Sequence, residues 1–73
     1  MRLTSTIAKV NGSNFSLIAE ELKGDNPDAT VIVFENRNHW EADKETVAIM
    51  YEGDCYDHVA NQYAAQNVTV VRV

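Results

Sequence analysis

The sequence predicts an α+β fold: a small antiparallel sheet with helices on one face, in the ferredoxin-like order strand, helix, strand, strand, helix, strand. Three observations predict it. Two β-branched, apolar runs, "ATVIVFE" (29–35) and "ETVAIMYE" (45–52), stand close enough to pair as a hairpin. Two stretches with helix-forming character, 13–23 and 54–66, lie on either side of that hairpin. Turn signals at Asn11-Gly12, Lys23-Gly24, Asn26-Pro27 and Glu52-Gly53 divide the chain into six pieces. At 73 residues, residues 1–73 read as a single domain. A chain of this size buries only about 60% of its unfolded surface.

The elements follow in order. "RLTSTIAKV" (2–10) alternates and is rich in threonine and β-branched residues, so it reads as a strand with an exposed face or edge. "SNFSLIAEELKG" (13–24) supports a helix capped by Ser13 or Ser16. Its partial apolar stripe runs through Leu17 or Ile18 to Leu22, and Gly24 sits where a left-handed residue would stop it. The same residues also allow a strand with Phe15, Leu17 and Ala19 inward. Asn11-Gly12 would then close an N-terminal hairpin, giving a mainly antiparallel sheet with one C-terminal helix.

The run at 29–35 is the clearest strand. Val31 and Val33 share one face, and Ile32 and Phe34 share the other, so both faces need cover. In the next strand Val47, Ile49 and Tyr51 oppose Ala48 and Met50. The hairpin between them has "NRNHWEAD" (36–43) at its tip. "GDCYDHVANQYAAQN" reads as a helix over 54–66, with Asp54 as cap and Tyr56, Val59, Ala60, Tyr63 and Ala64 as its inner stripe. "VTVVRV" (68–73) closes as a strand. One tension remains. The ferredoxin-like order puts its first strand in the middle and its second at an edge, yet here the first is polar and the second apolar on both faces. A homodimer, or a partner laid on the sheet face opposite the helices, would provide the missing cover.

Composition narrows function. The net charge is −5, and the six basic residues are scattered, so direct binding to nucleic acid is not expected. The single cysteine, Cys55, allows no internal disulfide and fits a reducing compartment. No leader pattern opens the sequence, and no apolar run approaches the roughly 18 to 20 residues of a membrane span. These readings place the protein in the cytoplasm. Cys55 and His58 are three apart and, with Asp54, Asp57 and His39, could be drawn as a zinc set. Tetrahedral zinc sites ordinarily show paired Cys and His motifs, so a small buried cysteine and a helix-surface histidine are preferred. A Cys-His nucleophile and a His-Asn-His nuclease string are weighed and set aside. The glycines mark turns and form no phosphate loop. Neither enzyme activity nor a cofactor is expected.

The segment after Phe34 is the most informative. Glu35, Arg37, His39, Trp40, Glu41, Asp43 and Glu45 surround the only tryptophan with charge. Trp40 could fold back to plug the core. Alternatively it anchors a partner, since tryptophan and arginine are enriched at binding hot spots. The carboxylates among these residues would steer the loop to a basic surface.

Two stretches carry a resemblance. "FSLIAEELKGDNPDATVIVFE" resembles the helix, Pro-Asp turn and strand of small phage proteins. "YEGDCYDHVANQYAAQNVTVVRV" resembles the strand, helix and strand of short phage-encoded host-takeover proteins, such as a podophage inhibitor of bacterial RNA polymerase and some anti-CRISPR proteins. The likeness lies in pattern and size, and no functional residue is carried over by position. It implies a small acidic inhibitor, acting in the host cell, that occupies a basic surface of a host nucleic-acid machine. A homo-oligomeric structural or assembly protein is the second reading, and a small metal-dependent enzyme the third.

Overall fold

A computed structural model describes residues 5–11, 14–39, 43–66 and 68–73. Six elements follow one another: β1 (Ser5–Val10), α1 (Phe15–Asp25), β2 (Ala29–His39), β3 (Asp43–Glu52), α2 (Tyr56–Gln62) and β4 (Val68–Arg72). The class is α+β, with a four-stranded antiparallel sheet and two helices, and the elements come in the expected chain order. The strands lie in the spatial order β1-β3-β2-β4.

Helix α1 settles the ambiguity at 15–25, and the alternative with an N-terminal hairpin is set aside. Asn14, rather than a serine, caps it: Asn14 Oδ1 accepts from the Leu17 N–H at 3.4 Å. Phe15, Ile18, Ala19 and Leu22 fall at i, i+3, i+4 and i+7 and pack against the sheet. Leu17, expected in the stripe, is 56% exposed. Gly24 is not the stop. The helix continues through it to Asp25, and Asn26 ends it by donating from both its backbone N–H (2.8 Å) and its side-chain Nδ2 (3.0 Å) to the Leu22 carbonyl. Lys23 Nζ reaches on to the Pro27 carbonyl at 2.7 Å and ties the turn to the helix.

Helix α2 is shorter than the expected 54–66. Gly53 takes a positive φ of 82°, which suits glycine because it has no Cβ. The chain therefore turns one residue later than an Asp54 cap would require, and Cys55 becomes the N-cap without a side-chain capping bond. The Tyr63 N–H bonds the Val59 carbonyl at 3.2 Å, and the following amides bond three residues back. Residues 63–66 are thus turns rather than helix, and Ala64 is exposed.

The helices do not share a face. On one face α1 covers Ala29, Ile32, Phe34, Ala48 and Met50, joined by Ala8, Val10, Val71 and Val73. On the other, Val59 and Cys55 pack on Val31, Val33, Val47 and Ile49, with Tyr51, Tyr56, Tyr63, Val68 and Val70 around them. The sheet order explains this. In a ferredoxin-like sheet the last strand joins the outer edge of the first. Here β4 joins β2, from Val31↔Arg72 to Glu35↔Val68. Both crossovers then step across the sheet in the same direction from strands that run oppositely. Connections of this type are almost always right-handed, so the two helices land on opposite faces. The polar β1 becomes an edge, and the doubly apolar β2 becomes interior and covered on both sides. The expectation of helices on one face fails for the reason the sequence itself showed: β2 cannot be an edge.

Two aromatic contacts fix the layers. The Phe15 and Phe34 rings stack with centroids 4.5 Å apart and an interplanar angle of 13°. On the opposite face the Tyr51 and Tyr63 hydroxyls meet at 2.9 Å. Burial, then the hydrogen bond and charge of Tyr63, push the Tyr51 hydroxyl up to about 12. An unperturbed tyrosine titrates near 10. Between about pH 10 and about pH 12 the unfolded chain therefore has lost a proton that the folded chain keeps. This contribution to stability is complete below pH 10 and is lost as pH rises through the folded pKa. Urea midpoints measured across that window should fall with pH, and Tyr51→Phe should make the fall shallower. An identical alkaline slope in the variant would show that Tyr51 does not carry it. Among the described residues no helix is long and apolar enough to cross a membrane.

Candidate functional site

The site predicted from sequence lies on the β2–β3 hairpin, but much of it is strand rather than loop. β2 runs on to His39 and β3 begins at Asp43, so the expected tip of residues 36–43 shrinks to the short segment between them. The register continues through Asn36↔Thr46, Arg37↔Glu45, Asn38↔Lys44 and His39↔Asp43. The outer strands stop earlier. β4 pairs with β2 only as far as Glu35, and β1 pairs with β3 only as far as Thr46. Among the described residues, the three rungs beyond these points form a two-stranded arm, extending about 10 Å past the sheet at the usual rise per residue. At its base Thr46 Oγ1 donates to Asn36 Oδ1 at 2.7 Å, locking the last rung before the arm.

Why the strands continue here is readable in the chain. The apolar alternation ends at Phe34, because past that point neither helix supplies cover. What replaces it is charge matching. The register sets Arg37 opposite Glu45 and His39 opposite Asp43. Directly opposed unlike charges support an antiparallel pair by roughly 0.2 to 1 kcal/mol.

The seven candidate residues are distributed as follows. Glu35 is half-buried at the rung where β4 pairing ends, between Val47 and Val68. Arg37, His39, Asp43 and Glu45 share its strand parity, in step with Val31 and Val33. The hairpin therefore brings five of the seven onto one register face of the arm, the face continuous with the α2 side of the sheet. Trp40 and Glu41 lie outside the described residues, and so does the choice between core plug and anchor. Sequence reasoning missed the second face, where Asn36 and Asn38 alternate with Thr46 and Lys44. It also read the carboxylates as an acidic cluster. The register instead sets a basic residue or histidine opposite two of them. The signal for both was the symmetry of charges about position 41, visible once the rung Val33↔Ile49 is known.

The other candidate chemistry is not assembled. Cys55 is buried, with Sγ donating to the Glu52 carbonyl at 3.3 Å, whereas His58 is exposed on α2. Among the described residues no group of three or more His, Cys, Asp or Glu is placed to hold a metal ion. Arg72 lies over the Tyr56 ring at 4.1 Å, at the far end of the sheet from the arm. Comparison with known families, with curated proteins and with solved structures finds no match to this chain.

Proposed function

We infer that the protein is a non-catalytic binding module that sets its β2–β3 arm against a basic surface of a partner protein. One observation carries this reading. The arm extends past the rungs where β1 and β4 end, so it contributes nothing to either apolar layer. Chain that adds no core burial, holds the only tryptophan and carries four carboxylates against two cations over residues 35–45 is suited to contact with another molecule. The resemblance to small phage-encoded host-takeover proteins narrows the partner to a host nucleic-acid machine, an RNA polymerase or a CRISPR effector. Occupying a basic groove there would inhibit it sterically. The expected partner on the bare face of the sheet is withdrawn, because α2 covers that face.

Trp40→Ala tests the reading. The variant should unfold at nearly the same denaturant midpoint as the parent. It should bind a partner captured from bacterial lysate about 2 kcal/mol more weakly, the usual size of a hot-spot truncation. Reversing Glu41 and Asp43 to lysine should mainly slow association and flatten its salt dependence. A Trp40→Ala chain that melts early, or that holds the same partner as tightly as the parent, would count against the arm as anchor.

A further inference from the structure

The outer edge of β4 carries an inference of its own, independent of the arm. The Val73 N–H donates to the Thr30 carbonyl at 2.9 Å. In an antiparallel pair, opposed residues alternate between those that exchange backbone hydrogen bonds and those that do not. Val73 belongs to the first kind, so by the register Val71 (opposite Ile32) and Thr69 (opposite Phe34) do too. The N–H and C=O groups of Val68, Val70 and Arg72 therefore point away from β2. Among the described residues no strand lies beyond β4.

This edge lacks the usual guards. Its pairing with β2 runs without a register shift, and Val68–Arg72 holds neither proline nor lysine. The opposite edge, β1, carries Lys9, a residue type that natural sheets place on edges to block further pairing. The helices also leave β4 approachable. A groove of about 400 Å³ runs beside it, lined by Ser16, Ala19, Glu20 and Lys23 of α1 and by Val71 and Val73.

We propose that β4 is a self-complementary interface, with two copies of the chain pairing β4 antiparallel about a two-fold axis at Val70 to make one continuous sheet. The occupant is a second copy because the edge fits itself. One antiparallel register lets all three outward residues meet outward residues: Val70 opposite Val70, and Val68 opposite Arg72 on each side of the axis. Each such pair exchanges two backbone hydrogen bonds, giving about six in all. Thr69 then stands opposite Val71, a pair of β-branched residues suited to a sheet. The two Arg72 residues never oppose each other, and each guanidinium already rests on its own Tyr56 ring.

Sedimentation over the micromolar range should show a species with the mass of two chains. Val70→Pro should be monomeric at every concentration while keeping the parent's circular dichroism. The lost N–H bonds nothing inside the fold, and proline is tolerated on edge strands. Trp40→Ala should dimerise like the parent, which keeps failure of the arm reading distinct from failure of this one. Should Val70→Pro fail to fold, amide exchange in the parent decides. The Val70 and Arg72 amides should become protected as concentration rises, and the Val71 amide should be protected throughout. A parent that stays monomeric would overturn the proposal. So would a Val70→Pro chain that dimerises as tightly as the parent, or Val70 and Arg72 amides whose exchange ignores concentration or slows only when a different protein is added.

Discussion

Val59→Asp is expected to unfold the protein. Val59 is 0% exposed and is the point where α2 meets Val31, Val33, Val47 and Ile49. A carboxylate there would lose its water and find nothing in exchange. The described residues include no buried polar or charged side chain, and the nearby tyrosine hydroxyls already bond each other. The whole stability of a 73-residue chain is about 4 to 11 kcal/mol at the usual value per residue. An unpaired buried charge costs several kcal/mol and so removes most of it. Val59→Ala separates charge from shape, because it only deletes methyl groups and should cost about 1 to 3 kcal/mol. Thermal unfolding followed by circular dichroism reads both. A Val59→Asp chain that melts with the parent would mean that α2 does not pack on this face.

Phe34→Ala should have the next largest effect, on the other layer. Its ring is buried and stacks on Phe15, the first residue of α1. Truncation should cost about 3 to 5 kcal/mol through lost burial and the cavity left behind. Part of that is specific to the stack. A double-mutant cycle with Phe15→Ala should recover a coupling of about 0.5 to 1.5 kcal/mol. Additive single losses would show that the rings do not interact. Because α1 meets the sheet first at Phe15, amide exchange should also quicken along α1 in Phe34→Ala, while α2 keeps its protection as long as the domain stays folded.

The parts of this architecture that could be read from sequence are those set by periodicity. The faces of β2 and β3 follow from simple alternation, and residues 31–34 and 47–51 divide between the two layers as their parity requires. What escaped was long-range choice. Nothing local in "VTVVRV" says whether it joins β1 or β2, and that choice decides whether the helices share a face. The evidence was present as a mismatch, a polar first strand and an apolar second, but resolving it requires knowing which strands are neighbours. Helix ends escaped for another reason. Asn14 and Asn26 cap α1 with side-chain bonds, where serine and glycine stood as equally suitable candidates nearby. In the candidate site, the residue types were legible and their pairing was not. Arg37 and Glu45 are eight positions apart in the chain, and only the hairpin register makes them neighbours.

The placement of β4 beside β2 also has a consequence for how the chain reaches its native state. The central hairpin closes locally, whereas Ser5 must find Tyr51 and Arg72 must find Val31 across long stretches of chain. Closing such loops costs entropy that only later contacts repay, so the hairpin is the natural nucleus. Each outer strand then arrives with one helix and completes one layer: β1 with α1, β4 with α2. The molecule is in this sense a hairpin with two wings attached from opposite sides. The wings share the hairpin, and each seals its own face of it. Opening of one wing would leave the other packed, so partial unfolding has two separate routes, and the apolar surface each exposes belongs to a different side of the same two strands.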